Sequence, residues 1–136
     1  MTSPQIVFDT QPGEYRAGAC NIGPAEIARR RRAGYAGSGA ALVLGAVLLV
    51  IDAPTTARLL VGIPLAAGAT GLLQARLRFC AGYGMAGVRN FGSVGSVDRV
   101  EEAAARHADR MKAYRISLAA AAIGGVGALA FAALPI

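Results

Sequence analysis

Charge is what this chain has least of. Of its 136 residues, only 16% are Asp, Glu, Lys or Arg, while 54% are hydrophobic; a soluble domain carries about a quarter charged residues. The shortfall is clustered, because Leu42 to Ile51 and Ser117 to Ile136 hold no charge at all. A bilayer demands such clustering and a soluble core does not. Histidine and cysteine are scarce too, with one and two copies. No Ser/His/Asp set can be assembled from them, and no catalytic constellation is visible. An apolar h-region is also missing before Arg32, so no cleaved secretory signal is expected and the first span should act as a signal-anchor.

What is present is basic and greasy. The net charge is +6, the sequence pI about 10.2 and the mean hydropathy +0.46. The length suits one domain. Nucleic-acid binders place their basic residues on a soluble surface with aromatics for stacking. Here they flank apolar stretches, which is the positive-inside pattern of membrane proteins. The expectation is a lipid bilayer as partner and no nucleic acid.

The sequence predicts an all-α membrane protein with three transmembrane helices. The first span is Ala33 to Ile51, nineteen residues ending at Asp52-Ala53-Pro54, about 29 Å long at ~1.5 Å per residue. The second runs from about Leu59 to Leu73, extendable to Ala75. It contains Pro64 and is flanked by Arg58 and Arg76, whose stems can snorkel. Joined by Pro54-Thr55-Thr56, the two make a tight antiparallel hairpin. The third span, Ile116 to Ile136, is built mostly of small residues. Ala120, Gly124 and Ala128 recur every fourth position, a ridge suited to close helix packing in lipid. Five basic residues precede the first span and eight lie between the second and third, leaving only Arg58 for the other side. That asymmetry predicts a cytoplasmic N-terminus and an outside C-terminus.

Residues 1–19 read as an extended tail, with a small apolar run at Ile6-Val7-Phe8, ordered only where something holds it. Residues 20–92 form the hairpin domain with its flanking motifs, and residues 93–136 an amphipathic helix leading into the third span. Pro24 suits a first helical position and Glu26 the first turn, where its charge favours the helix dipole. Arg29, Arg30, Arg31 and Arg32 cover every side of that helix and are read as lipid headgroup contacts. Gly82, Gly84 and Gly87 spell G-x-G-x-x-G. They follow a membrane helix rather than a strand, so no nucleotide is expected, and a tightly folded or re-entrant connector is. Beyond it, Ser96 is a plausible N-cap. Val97, Val100, Ala104, His107, Met111, Tyr114 and Leu118 follow a 3-4 spacing that predicts one narrow apolar seam. Glu101, Glu102 and Asp109 read as its solvated face.

Several motifs in combination carry a resemblance: Asn21-x-Gly23, then Glu26-Ile27, arginines, a membrane hairpin, and Phe79-Cys80 with Gly84 and Asn90 beyond. Over roughly Cys20 to Gly92 the chain resembles the YgaP-type transmembrane domain, a small bacterial inner-membrane hairpin found alone or fused to sulfur-transferring rhodanese domains. The resemblance implies a bacterial cytoplasmic membrane. It departs at Ala81, where the family commonly has proline. No rhodanese domain is recognisable here, so sulfur transfer is not implied.

Cys20 and Cys80 flank the hairpin at equivalent depths, and its antiparallel ends would bring them towards one another. Three roles are open: packing, a thiol pair for redox or sulfur handling, and a metal site. Two cysteines are too few for metal. Zinc or an iron–sulfur cluster needs His107 or cysteines from a second copy, and otherwise no cofactor is expected. Functionally, the expectation is a non-catalytic accessory or structural protein, a homo-oligomer or a subunit of a larger membrane complex. The alternative is a thiol or metal module at the cytoplasmic face.

Overall fold

A computed structural model of the chain describes residues 14–136; the Ile6-Val7-Phe8 run lies outside them. Gly23 holds an extended backbone before Pro24, whose fixed φ opens helix α1, Pro24–Val50. The four arginines and the first span are therefore one continuous rod. It ends where Asp52 turns left-handed at φ 52°, with the Ala53 N–H reaching back to the Leu48 carbonyl at 2.9 Å. A short helix α2, Thr55–Arg58, passes through a 3-10 turn, Leu59–Val61, into α3, Gly62–Leu77. The tighter turn sits where Pro64 withholds the N–H that an α-helix would direct at Leu60. Arg78 closes α3, also left-handed, at φ 55°.

Beyond it come α4, Ala81–Ala86, a two-residue antiparallel pair of β1, Val88–Arg89, with β2, Asp98–Arg99, and the long helix α5, Ala103–Ala132. Val88 faces Arg99 and Arg89 faces Asp98. The fold is predominantly helical, and three of its rods are long and apolar enough to cross a membrane: Pro24–Val50, Thr55–Leu77 and Ala103–Ala132.

α3 is the centre, with α1 and α5 both antiparallel to it. Its approach to α1 is backbone on backbone: a Cβ on Gly37 would lie 2.5 Å from the Gly68 nitrogen, and one on Gly71 would lie 2.5 Å from that of Gly34. On its other flank, a Cβ on Gly124 would meet that of Ala66 at 2.6 Å, and one on Gly62 would meet that of Ala128 at 2.9 Å. Ala120, Gly124 and Ala128 are accordingly buried. Large apolar residues point the other way: Leu42, Val50, Ile63, Leu118, Val126 and Leu129 are all exposed. Small inside and large outside is the order expected where lipid, not water, surrounds the helices.

Three expectations are corrected. The helix does not begin at Ser96, because Asp98 and Arg99 are paired with β1 and the Val100 N–H bonds to the Gly87 carbonyl at 2.9 Å. The Arg106 guanidinium takes the carbonyls of Val100 and Glu101 at 2.9 and 2.6 Å, holding the chain extended up to Glu102. The 3-4 seam is also displaced. Ala104, His107, Met111, Tyr114 and Leu118 are exposed, while Ala105, Asp109, Ala113, Ile116 and Ala120 are buried. Helix approach selects for small side chains, not for the most apolar stripe. Arg58, finally, does not snorkel. It is buried, bonding the Ala53 carbonyl at 3.0 Å and the Leu134 carbonyl at 3.5 Å, with Asp52 3.6 Å away.

Candidate functional site: a buried polar joint

At the arginine-bearing end the start of α1, the end of α3 and α4 meet in a cluster of buried polar side chains. Asn21, fully buried, holds Cys80 by both main-chain groups. Its Oδ1 accepts the Cys80 N–H at 2.7 Å and its Nδ2 donates to the Cys80 carbonyl at 3.1 Å. A third segment, beyond β1, is laced to the first by the Asn90 N–H to the Asn21 carbonyl at 2.9 Å and the Gly23 N–H to the Asn90 carbonyl at 2.8 Å. Gly23 leaves little room for a side chain, since a Cβ would stand 3.0 Å from the Phe91 Cα.

Glu26 is the hub. Its carboxylate is wholly buried. Oε2 accepts from the Tyr83 hydroxyl at 2.5 Å, from Asn90 Nδ2 at 2.8 Å and from the Gly95 N–H at 3.1 Å. Oε1 faces Arg30 Nη1 at 3.1 Å and Arg29 Nη1 at 3.8 Å. It meets them as charges, without a directed hydrogen bond. This donor set suits an ionised carboxylate, and burying one without such partners costs several kcal/mol or more. Facing that charge, the Tyr83 phenol is raised above its ordinary range, first by its hydrogen bond to Glu26 and then by burial. Gly95, whose N–H completes the set, is left-handed at φ 89°.

Arg30 is thereby drawn inward. It pairs with Glu26, lies 5.6 Å from the centre of the Tyr83 ring, and donates through Nη2 to Cys80 Sγ at 3.0 Å. This corrects the uniform headgroup role expected of the four arginines. Helix geometry turns one of four consecutive residues to the core, and Glu26, one turn earlier, supplies its counter-charge. Arg29, Arg31 and Arg32 are exposed.

Cys80 is buried, and Cys20, half-buried, directs its thiol at the Ile22 carbonyl at 3.6 Å. Burial pushes the Cys20 thiol up, which lowers its thiolate fraction at neutral pH. Both thiols are free. His107 is exposed on α5, and among the described residues no three His, Cys, Asp or Glu side chains are grouped to hold a metal ion. Gly84 of the glycine motif serves packing: a Cβ there would stand 2.8 Å from the Phe79 ring and 2.9 Å from the Asp109 carbonyl. Comparison with protein-family models, curated proteins and solved structures finds no match for this chain.

A second buried carboxylate is Asp109, which the sequence predicts on the solvated face of α5 and which the fold instead encloses fully. It straps the N-terminal segment to α5. The Tyr15 hydroxyl donates to Oδ2 and the Gly18 N–H to Oδ1, each at 2.7 Å. Arg89 lies 5.0 Å over the Tyr15 ring. The Tyr15 phenol is raised well above its normal range, by burial first and then by Asp109. The only sequence signal for the strap is Gly18 itself, left-handed at φ 67° inside the Arg16–Cys20 turn. Asp109→Ala removes two bonds to a charged acceptor, each worth ~1.5–3 kcal/mol. The expected result is faster hydrogen exchange at the Gly18 amide and tryptic cleavage after Arg16, with α1 and α3 still protected. Unchanged exchange at Gly18 would mean that Asp109 does not hold the strap.

Proposed function

We propose that the chain is a three-span protein of a bacterial cytoplasmic membrane, N-terminus inside and C-terminus outside, acting as a non-catalytic accessory or structural subunit. It packs against itself or against larger membrane subunits. The observation carrying this reading is an open groove, rich in small residues, on the outside of the α3–α5 pair. Beside the α3–α5 contact, Gly62, Ile63, Ala66, Ala121 and Gly125 line a shallow groove of about 480 Å3, and a Cβ on Gly125 would meet nothing within 4 Å. Small residues left open on a membrane helix are where another helix can come close. The arginines gathered at one end support the orientation. Asn21, Glu26, Cys80 and Asn90, which carry the resemblance to the YgaP-type transmembrane domain, are also the residues that close the joint, and membership of that family forms part of the proposal.

The test is mass measurement and cross-linking in bilayer nanodiscs. More than one copy per disc, or a stoichiometric second subunit, is expected, and Gly125→Leu should reduce it. A strict monomer with no bound subunit overturns the reading. A thiol module is the second reading, favoured by the Arg30 contact to Cys80. Under the leading proposal neither thiol of the folded protein reacts faster than a free cysteine, and anaerobically purified protein carries no stoichiometric metal. Alkylation about tenfold faster than free cysteine, or bound metal, would favour the second.

A further inference from the structure

α1 and α5 both pack on α3 but leave a valley between themselves. Two adjoining hollows make it up, of about 580 Å3 and 300 Å3, with Ser38 and Leu65 in both. The first reaches Val61, Leu49 and Phe131, and the second ends at Arg76. From Val61, in the 3-10 turn, to Arg76 in α3, the fifteen steps of rise span about 22 Å. One leaflet's share of the hydrocarbon layer is ~15 Å, so the valley runs from one membrane surface past the midplane.

Its walls are apolar throughout, since the one hydroxyl, on Ser38, already donates to the Gly34 carbonyl at 2.8 Å. Arg76 at its mouth is exposed and makes no ion pair among the described residues. Arg31 and Arg32, also exposed, belong to the same end of the bundle, while the nearby carboxylate of Glu26 is enclosed and already neutralised. The occupant this suits is a flexible hydrocarbon chain under a negative headgroup. A second helix fits poorly, because Leu42, Leu49 and Phe131 line the valley where close approach needs small residues.

Resting on the membrane reading above, we infer that the valley is a site for an anionic phospholipid, one acyl chain lying between α1 and α5 and the phosphate held by Arg76. The chain contains no tryptophan, so a single introduced one reports on one place. Leu42→Trp puts it on the valley rim, and Val126→Trp puts it at similar depth on an exposed face outside. Each variant goes into phosphatidylcholine vesicles containing increasing fractions of brominated phosphatidylglycerol or, separately, brominated phosphatidylcholine.

Emission from Leu42→Trp is expected to fall at a mole fraction at least threefold lower for the glycerol lipid. Arg76→Gln in the same background should bring the two curves together, and Val126→Trp should be quenched equally by both. If Val126→Trp is quenched but Leu42→Trp shows no preference, the site is overturned while the membrane reading stands. If Leu42→Trp alone escapes quenching, protein fills the valley, and the site is again overturned. If neither is quenched, the membrane reading fails and the site with it.

Discussion

Glu26→Ala is expected to lower stability by about 3–5 kcal/mol, the loss that follows when one partner of a buried charge pair is removed. The size comes from what the alanine leaves behind. Tyr83 and the Gly95 N–H lose their acceptor together, Asn90 keeps only the Ser93 carbonyl, and Arg30 keeps its charge in a pocket with only Cys80 and the Tyr83 ring to receive it. Glu26→Gln should cost less, about 1.5–3 kcal/mol. Its amide oxygen can still accept from Tyr83 and Asn90, but its NH2 then points at the guanidinium. Adding Arg30→Gln to Glu26→Gln should recover part of that loss, whereas independent residues would give additive losses. Equilibrium unfolding in mixed micelles measures all three. Losses under ~1 kcal/mol for Glu26→Ala would show that the joint does not hold the hairpin ends.

The same geometry fixes a dependence on pH. Tyr83 and Tyr15 donate to carboxylates as neutral phenols, and both are raised above the ordinary value of about 10. The folded state therefore binds their protons more tightly than the unfolded state does. That contribution is fully present below pH ~10 and is lost as the pH climbs beyond it. Glu26→Gln removes the charge facing Tyr83, so the variant should lose less on the alkaline side than the parent.

Much of the architecture was legible because it depends on length and charge alone. Three apolar stretches and the places where arginines interrupt them suffice to place the rods. The joint was not legible. Asn21, Glu26 and Asn90 look individually like turn and cap residues, and what makes them a cluster is the antiparallel return of α3, which brings Cys80 to Asn21 across 59 positions of sequence. Asp109 misled for a related reason. A carboxylate among Arg106, Arg110 and Lys112 looks solvated, and its partners, Tyr15 and Gly18, come from the far end of the chain. The α5 seam misled through its periodicity, which ranked Met111 and Tyr114 above Ala113. Hydropathy finds the face that avoids water, while the bundle needed the face that admits another backbone.

That need sets the second large effect, at the α1–α3 contact, where the hairpin has no room for a methyl group. A Cβ on Gly71 would lie 2.5 Å from the Gly34 nitrogen and 2.7 Å from the Arg30 carbonyl, and one on Gly68 would lie 2.7 Å from the Ser38 nitrogen. These neighbours are main chain and cannot rotate aside, so the helices must part. Gly71→Ala is expected to cost at least the ~1–3 kcal/mol typical of overpacking, and Gly71→Leu to open the hairpin. Because Gly71 sits one turn from the joint, parting the helices there also pulls Asn21 from Cys80. Alkylation of Cys80 in the undenatured protein should then rise from slow to the rate of an exposed thiol. Gly39→Ala provides the contrast on the same helix: a Cβ there meets nothing within 4 Å, so replacing glycine should be neutral or stabilising by up to ~1 kcal/mol through helix propensity. Equal responses at Gly71 and Gly39 would mean that the two helices are not in backbone contact, and both the hairpin packing and the joint built on it would have to be redrawn.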